Sequence, residues 1–330
     1  MATLSFQQTA TFKRSFRRAA LPENHNERWA IVLAGGDGTR LRSMTRALVG
    51  DDRPKQFCPI VGGRTLLEQT LDRVGLSIPD KRTMLVVTEK HRRFYQPLTA
   101  RRPKELLVEQ PENKGTAPAI LYALQRVAAR SPKAIVALFP SDHYFADEKS
   151  FMSQVDSAYA GVQANPSTVT LLGITPAGPE VEYGWIEPQT SILSNMPGSI
   201  TRVRRFWEKP AASVAQQLME RGCLWNSFVM VGRVDSLLRM TQRALVDLYD
   251  AFGTVVHTFG TSTEASAVRE LYRRISETNF SQHVLASRPD DLAVMRVGEV
   301  GWSDLGEPGR VLSTLARLGM RTEPALSAIQ

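Results

Sequence analysis

The sequence predicts an α/β fold. Short apolar runs typical of buried strands alternate with longer segments whose apolar residues recur at helical spacing. The first strand passes directly into a glycine-rich loop. With 330 residues, 42% of them hydrophobic, the chain can bury one large core or two linked ones. This alternation indicates strands and helices that pack as layers.

The elements follow in chain order. Strands are predicted at 31–33, 84–87, 106–108, 135–139, 169–174 and 292–297. Helices are predicted at 65–74, 116–129, 151–163, 213–221, 234–249 and 307–318. Proline and glycine concentrate between about 175 and 210, where strand patterns continue, so we expect one domain there and no flexible linker.

The loop after the first strand has the composition of a phosphate-binding loop. Glycines lack the Cβ atom that keeps backbone amides away from phosphate oxygens, and Arg40 adds a planar cation. Leu41 stands where a dinucleotide fingerprint needs its third glycine, and no Gly-Lys-Ser/Thr sequence follows as in a P-loop. A tight strand-to-helix turn remains an alternative. The glycines are Gly35, Gly36 and Gly38.

The next segment, Arg-Pro-Lys-Gln-Phe at 53–57, places Lys55 where it can reach back to the same phosphates. A lysine by itself is more often a solvated surface charge. The loop and this segment together resemble the sugar nucleotidyltransferases, specifically the mannose-1-phosphate guanylyltransferase branch. Further blocks of the resemblance, in the family's order, are 109–120, Phe-Pro-Ser-Asp-His at 139–143, Tyr-Gly-Trp-Ile-Glu at 183–187, Phe-Trp-Glu-Lys-Pro at 206–210, Trp-Asn-Ser at 225–227 and Gly-Trp-Ser-Asp-Leu-Gly at 301–306.

The resemblance implies a Rossmann-like nucleotide-diphospho-sugar transferase fold, with a mixed, mostly parallel central sheet flanked by helices. It implies one catalytic domain at 28–320, comprising a nucleotide half at about 28–175, a sugar-phosphate half at about 176–310 and a C-terminal helix at about 307–318. Residues 321–330 are expected to form a tail. A fused C-terminal isomerase domain, present in longer relatives, is not expected here.

The implied reaction joins GTP and mannose 1-phosphate into GDP-mannose and pyrophosphate. A sugar phosphate is mostly dianionic near neutral pH, since its second pKa is about 6, so its attack on the α-phosphorus needs no protein base. Catalysis then consists of in-line positioning and of charge neutralisation. The predicted catalytic residues are Arg40, Lys55, Asp142 and Asp304.

Asp142 and Asp304 are also the predicted Mg²⁺ ligands. Magnesium prefers oxygen ligands and takes one or two carboxylates together with substrate phosphates and water. Each aspartate taken singly is equally consistent with a helix cap or a turn. His143 is interpreted as a structural residue, because Mg²⁺ disfavours imidazole.

The predicted nucleotide site combines the glycine loop with the loop before the helix at 116–129. The second loop is also consistent with an ordinary turn that caps this helix, and both roles are compatible. The predicted nucleotide-binding residues are Leu33, Ala34, Gly35, Gly36, Gly38, Thr39, Gln110, Pro111, Asn113, Gly115 and Thr116.

A third set is predicted to bind the sugar phosphate. A carboxylate suits sugar hydroxyls, a lysine suits the phosphate and a glycine makes room for the ring. An asparagine outside such a motif is more often a turn former. Phe228 stands where the family usually has glycine, which predicts a narrowed or altered sugar pocket. The residues are Gly184, Glu208, Lys209 and Asn226; Glu182 and Glu187 are expected only to flank a strand.

Composition bounds the remaining possibilities. Part of the net charge of +8 lies in residues 1–28, where five basic residues face two acidic ones, for a net +3. Residues 1–27 are predicted to form a flexible basic tail that is solvated; contact with nucleic acid or an import machinery is the less favoured alternative, because no stacking platform accompanies the charge. Cys58 and Cys223 have no metal-binding spacing, which favours reduced thiols.

No apolar run approaches the roughly 18 residues of a membrane span, and the start of the chain lacks a signal-peptide core. We therefore expect a soluble, cytoplasmic enzyme, with a homo-oligomer as an option and nucleic acid as an improbable partner. The alternatives are the same chemistry with another sugar or base, and a catalytically silent nucleotide-sugar-binding subunit that regulates an active relative.

Overall fold

The strands of the described residues form one nine-stranded sheet in the order β3-β2-β1-β4-β8-β5-β9-β7-β6, in which β8 also pairs with β6. These strands are β1 Arg28–Leu33, β2 Thr83–Thr88, β3 Leu107–Gln110, β4 Ile135–Pro140, β5 Val169–Ile174, β6 Gly184–Pro188, β7 Ile200–Glu208, β8 Leu224–Arg233 and β9 Leu292–Val297. The computed structural model describes residues 27–189 and 198–320. The predicted tails, apart from residue 27, lie outside these ranges.

Helices cover both faces of the sheet. They are α1 Arg42–Val49, α2 Leu66–Gly75, α3 Arg92–Thr99, α4 Thr116–Arg130, α5 Glu148–Ala164, α6 Ala212–Glu220, α7 Val234–Ala244, α8 Val246–Gly253, α9 Glu264–Arg274 and α10 Pro308–Arg317. A π-helical turn follows α9 at Ser281–Leu285.

Strand directions confirm the predicted mixed, mostly parallel sheet. β3, β2, β1 and β4 pair in parallel, and β5 pairs in parallel with β9. β8 is antiparallel to β4, β5 and β6, and β7 is antiparallel to β6 and β9. Only β7 and β8 therefore run against the other strands of the described sheet.

The two faces of β1 explain its uninterrupted apolar sequence. Trp29 and Ile31 belong to the core cluster under α4, α7 and α9, whereas Ala30 and Val32 belong to the cluster under α2 and α5. Since successive side chains of a strand point to opposite faces, a strand covered on both sides must be apolar at every position.

One predicted helix is wrong in extent. The helical pattern at 234–249 predicts a single helix, but α7 ends at Ala244 and α8 starts at Val246. Between them Leu245 adopts φ −139° and ψ 63°, outside the helical region. Helical spacing continues across the break because both segments bury an apolar side against the core, and both contact α4. Tertiary packing therefore interrupts the helix at Leu245, although the spacing of apolar residues does not indicate a break there.

The topology assembles the candidate site at one edge. β1, β3 and β4 end at Leu33, Gln110 and Pro140, and each is followed by a loop that carries predicted site residues. In open α/β sheets, ligands bind outside the carboxyl ends of parallel strands. None of the helices at 27–189 and 198–320 is long and apolar enough to cross a membrane.

Candidate active site

The glycine loop is held by its carbonyl groups. Gln56 donates from Nε2 to the carbonyls of Ala34 and Gly36 at 3.1 and 2.7 Å, and Thr88 donates from Oγ1 to that of Gly35 at 2.9 Å. The backbone amides of residues 35–38 donate to no protein group in the described ranges. A loop whose carbonyls are bound and whose amides are free is suited to anionic oxygens.

Gly38 and Thr39 shape the exit of this loop. Gly38 has φ 59°, and a Cβ atom there would lie 3.0 Å from the backbone nitrogen of Lys55. Thr39 and Arg40 then form a short 3₁₀ turn that ends at Leu41, whose side chain is buried. The glycine is thus required by a close approach of the 53–57 segment as well as by its own backbone angle.

A cavity of about 370 Å³ opens beside the glycine loop. It brings together most of the predicted nucleotide set with one predicted metal ligand. The predicted residues that line it are Leu33, Gly35, Gly36, Gln110, Asn113, Gly115, Thr116 and Asp142.

A neighbouring segment holds the loop at 113–116, which belongs to the predicted nucleotide site and is called the base loop below. The amide of Ala117 donates to the carbonyl of Thr278 at 3.0 Å, and the amide of Thr278 donates to the carbonyl of Lys114 at 2.9 Å. Gly115 has φ 84°, and a Cβ there would lie 2.4 Å from the Thr278 carbonyl oxygen. Only glycine fits this position.

The base loop is also joined to the glycine loop. Asn113 donates from Nδ2 to Asp37 at 3.2 Å and accepts from the Gly115 amide at 3.0 Å. Burial opposes ionisation of Asp37, but hydrogen bonds from Lys90 and Asn113 and the Lys90 charge outweigh it and lower its pKa. Asp37 therefore acts as an ionised link between the two loops.

Gln110 lies at the end of β3 and is almost fully buried. Its Oε1 accepts a 3.0 Å hydrogen bond from the hydroxyl of Tyr272. Its Nε2 lies beside Gly35, where an added Cβ would approach it to 2.7 Å. Because Tyr272 engages the carbonyl side, the amide side of Gln110 is the part available to the cavity.

Two distant loops bring Asp142 and Asp304 together. Tyr144 and Ser303 form an antiparallel bridge, with amide-to-carbonyl distances of 2.8 and 3.0 Å. Lys55 lies between the loops, with Nζ at 3.3 Å from Asp142 Oδ2 and at 2.5 Å from the Asp304 carbonyl oxygen. The predicted lysine thus contacts both aspartate loops, and its side chain is only 10% exposed.

Asp304 sits in a dense hydrogen-bond network. Its Oδ1 accepts from the hydroxyl of Tyr183 at 2.8 Å and from the Gly306 amide at 3.0 Å, and Arg310 Nε lies 2.9 Å away. Burial would raise the pKa of Asp304, but the interaction with His143 in its protonated form, the charges of Lys55 and Arg310, and the Tyr183 hydroxyl together lower it. The carboxylate is thereby kept ionised.

His143 has the surroundings of a structural histidine. Its Nδ1 accepts a 3.2 Å hydrogen bond from Trp302 Nε1, and its ring packs edge-on against that indole. Burial lowers its pKa to about 4, although Asp142 and Asp304 oppose this shift. The imidazole is neutral near pH 7 and contributes no charge to the site.

The described ranges contain no group of three or more His, Cys, Asp or Glu side chains arranged to hold a metal. The predicted ligands are two carboxylates: Asp142, whose side chain is 30% exposed at the cavity wall, and Asp304, whose side chain is 13% exposed. An ion that accepts two protein oxygens and takes its other ligands from substrate and water matches this donor set, and Mg²⁺ has that preference.

The predicted sugar residues occupy three neighbouring strand ends. Gly184 pairs with Glu208 across β6 and β7, and Trp185 pairs with Trp225, next to Asn226, across β6 and β8. A Cβ on Gly184 would approach Phe206 Cζ to 2.8 Å and Glu208 Oε2 to 3.1 Å, so the glycine leaves room for the Phe206 ring and the carboxylate. Burial raises the pKa of Glu208, and the adjacent Lys209 opposes the shift.

Glu182 joins two predicted phosphate contacts. Its Oε2 lies 3.1 Å from Arg40 Nη1 and 3.1 Å from Lys209 Nζ. The hydrogen bond and charge of Lys209 lower the pKa of Glu182. A single carboxylate therefore bridges the cation after the glycine loop and the cation after β7, and all three side chains are substantially exposed.

Some cavity residues were not predicted. Gln56 lies inside the Pro-Lys-Gln-Phe motif, which could have identified it. Glu277 and Asn279 belong to no motif and reach the cavity because their segment is hydrogen-bonded to the base loop.

Two other residues lie elsewhere than the sequence predicts. Phe228 lines the cavity beside the glycine loop, whereas the sequence placed it in the sugar pocket. Pro111 lines a separate cavity on the other side of its loop.

This geometry agrees with the family comparison. The model of the family described as Nucleotidyl transferase matches residues 29–317. The chain belongs to the nucleotidyl transferase family. The match includes both aspartate loops, the glycine loop and all three sets of predicted residues.

Among curated relatives, the alginate biosynthesis protein AlgA of Pseudomonas aeruginosa is 30% identical over 226 residues, which cover 67% of this chain and 44% of AlgA. Mannose-1-phosphate guanylyltransferase of Salmonella montevideo is 28% identical, covering 84% of this chain and 57% of the relative. The chain spans about half the length of the curated relatives it matches.

Solved structures support the fold. A crystal structure named mannose-1-phosphate geranyltransferase, from Thermus thermophilus, has a TM-score of 0.74 and 26% identity, covering 88% of this chain and 79% of that one. UDP-glucose pyrophosphorylase in complex with UDP-glucose has a TM-score of 0.56 at 12% identity, covering 88% of this chain and 98% of that one. These structures confirm the Rossmann-like nucleotide-diphospho-sugar transferase fold.

Proposed function

We propose that the protein is a mannose-1-phosphate guanylyltransferase, which forms GDP-mannose and pyrophosphate from GTP and mannose 1-phosphate. The observation that carries this proposal is the meeting of the Asp142 and Asp304 loops, with Lys55 between them, at the wall of the cavity beside the glycine loop. Transfer of a nucleotidyl group needs charge-neutralising residues at this place, between the nucleotide and the second phosphate.

The Gln110 amide supports guanine as the base. Guanine presents O6 and N7 as acceptors, whereas adenine presents an N6 amino donor at the corresponding position. Tyr272 occupies the carbonyl oxygen of Gln110, which leaves its amide N–H groups for an acceptor. A donor in this position favours guanine over adenine.

The sugar assignment rests on the chemistry of the second set and on relatives. Glu208 accepts hydrogen bonds from hydroxyl groups, Lys209 supplies a cation for the phosphate, and Gly184 leaves space beside the carboxylate. The similar proteins of Salmonella montevideo and Sinorhizobium fredii are named mannose-1-phosphate guanylyltransferase. Mannose 1-phosphate is therefore the proposed sugar phosphate.

Mg²⁺ is the proposed cofactor, with Asp142 and Asp304 as its ligands. When bound, it neutralises negative charge on the reacting phosphates. The protein's own residues position the reactants: the free amides of 35–38 and Arg40 hold the triphosphate, and Lys209 holds the sugar phosphate. The dianionic sugar phosphate attacks the α-phosphorus in line, and pyrophosphate leaves with both electrons of the broken bond.

A regulatory subunit that binds nucleotide sugars without turnover is the alternative. Such a protein needs a binding cavity but no charge-neutralising set. Asp142 lines the cavity, Lys55 joins it to Asp304, and Glu182 joins Arg40 to Lys209. The presence of this whole charged set favours the enzyme.

The deciding experiment measures pyrophosphate release with Mg²⁺ across nucleoside triphosphates and sugar 1-phosphates, each product being identified by mass. We expect activity with GTP and mannose 1-phosphate. Activity with a different pair would retain the mechanism and change the substrate, and inactivity of the folded protein with every pair would favour the regulatory subunit.

Lys209→Ala tests the sugar-phosphate subsite. Loss of this cation should raise the KM for mannose 1-phosphate about tenfold or more, with a smaller effect on the KM for GTP, because one charge-assisted hydrogen bond contributes roughly 1.5–3 kcal/mol. Arg205→Ala, which removes an exposed cation from β7, the strand that Lys209 follows, is the matched control. An unchanged KM for mannose 1-phosphate in Lys209→Ala would remove Lys209 from this role.

A further inference from the structure

Phe228 has a backbone conformation that is unfavourable for its side chain. Its φ is 61°, in the left-handed region that bulky residues rarely adopt. Such a conformation is energetically unfavourable and persists only where the surrounding structure holds it. The question is what holds Phe228 there and where the ring is placed as a result.

A bulge in β8 imposes this conformation. β8 pairs with β5 at Gly173 opposite Asn226 and again at Leu171 opposite Met230, so that Leu172 alone faces residues 227–229. Bulges re-aim side chains and are common beside active sites.

Two side chains of the preceding motif hold the bulge. Ser227 donates from Oγ to the carbonyl of Leu172 at 2.6 Å and accepts from the Val229 amide at 3.1 Å. Asn226 accepts from the Phe228 amide through Oδ1 at 3.1 Å. Its carbonyl oxygen is therefore engaged in holding the backbone, which leaves the Nδ2 amide group for other partners.

The ring enters the cavity next to the glycine loop. Phe228 lines it together with Leu33, Gln110, Thr116 and Asp142. The ring also packs on the apolar cluster that contains Val86, Ala119 and Ile120, so it is a supported wall and not a loose surface side chain. β8 is antiparallel to β4 with Leu138 opposite Met230, so Phe228 lies level with Pro140, the last residue of β4 and two residues before Asp142.

We propose that Phe228 is a nucleotide-binding residue that contacts the nucleoside moiety of the nucleotide rather than the sugar phosphate. This inference rests on the proposed function. The apolar ring covers one side of the nucleoside, while the polar groups of Gln110 and the base loop contact its edge. Binding pockets commonly combine apolar walls with a few placed polar groups in this way.

The test compares Phe228→Gly, Phe228→Ala and Phe228→Leu with wild type. Glycine adopts φ 61° without strain, so the first variant is expected to fold. Alanine removes the ring but keeps the Cβ atom. Comparison with glycine therefore separates the effect of losing the ring from the effect of relieving the backbone strain. Leucine retains apolar bulk and should restore most of the binding.

Two quantities are measured: the Kd of GTP by calorimetry without sugar phosphate, and the KM of mannose 1-phosphate at saturating GTP. We expect the GTP Kd to rise about tenfold in the glycine and alanine variants, on the scale of losing a buried aromatic contact. The KM of mannose 1-phosphate should stay within about twofold. Leucine should keep the GTP Kd close to that of wild type.

An increased KM for mannose 1-phosphate with an unchanged GTP Kd would overturn the inference and place the ring in the sugar pocket. Unchanged values for both substrates would overturn it as well. A folded wild-type protein that binds no nucleoside triphosphate would instead refute the proposed function, and with it the inference; that result is seen without any variant.

Discussion

Backbone strain in the described residues is concentrated at the candidate site. Three non-glycine residues have positive φ: Lys209 at 45°, Phe228 at 61° and Leu305 at 47°. Each is a predicted site residue or lies within two residues of one. Strain of this kind is retained at functional sites, where the surrounding structure fixes a side-chain direction. That the strained residues lie at the predicted site supports the site assignment by an observation that does not come from the sequence motifs.

The two aspartates should differ in their effects on stability. Asp142→Asn removes the negative partner of Lys55, but the Lys55 ammonium keeps its hydrogen bonds to the Asp304 and Leu305 carbonyls, so the free energy of unfolding should fall by about 1 kcal/mol. Asp304→Asn weakens a buried network with Tyr183 and Arg310 and should cost about 1–3 kcal/mol. Turnover should fall about a hundredfold or more in both.

Steady-state rates with Mg²⁺ and chemical denaturation check this prediction, with the exposed Asp250→Asn as control. Near-normal turnover in either variant would remove that aspartate from the catalytic set.

His91 should make stability depend on pH. Burial lowers its pKa below the ordinary value of 6.5, although Asp37 opposes the shift. As pH falls below 6.5, the unfolded chain takes up a proton that the folded chain resists, so stability is lost until the lowered pKa is passed. His91→Gln lacks this contribution.

As the pH falls from about 7.5 to about 5.5, we expect the free energy of unfolding of wild type to decrease more than that of His91→Gln. Urea denaturation of both proteins at each pH measures it. If the free energies of unfolding of the two proteins change equally with pH, a group other than His91 causes the pH dependence.

At the scale of elements, the base loop depends on one glycine. In Gly115→Ala the new Cβ would meet the Thr278 carbonyl, and φ 84° would be strained. We expect a loss of about 1–3 kcal/mol in stability and weaker GTP binding, because the loop must move away from the segment at 276–280. Denaturation and GTP titration measure the two effects.

Gly253→Ala is the matched control. Gly253 ends α8, has no neighbouring heavy atom within 4 Å of an added Cβ, and should change stability by no more than about 0.5 kcal/mol. Equal effects at both glycines would contradict the role assigned to the close contact at Gly115.

Elements with strong local patterns were predicted well. The strands at 169–174 and 292–297 match the structure in both bounds, and the helix at 116–129 differs by one residue. β6, β7 and β8 were not among the predicted strands; in β7, only Val203 and Phe206 of the nine residues are buried, and arginines occupy much of the rest. A strand near the sheet edge needs fewer apolar residues and therefore gives a weaker signal.

At the scale of the whole molecule, the cavity is built from segments far apart in the chain, at 33–36, 110–116, 140–142 and 277–279. A ligand that contacts all of them stabilises only the folded state. GTP with Mg²⁺ at about 100 times its Kd should add roughly 2.7 kcal/mol, seen as a rise in Tm, and chelation of Mg²⁺ should reverse much of it. An equal rise with CTP would argue against guanine selection.

The sequence by itself determined the α/β class, the strand that enters a glycine-rich loop, and the residue types that the proposed reaction requires. These depend on local periodicity and on motifs a few residues long. Only the tertiary structure decided that the Asp142 and Asp304 loops meet around Lys55. It also decided that Glu182 bridges Arg40 and Lys209, and that a bulge turns Phe228 toward the cavity beside the glycine loop. These contacts depend on strand order and on loop-to-loop hydrogen bonds, and no local pattern specifies which distant segments become neighbours.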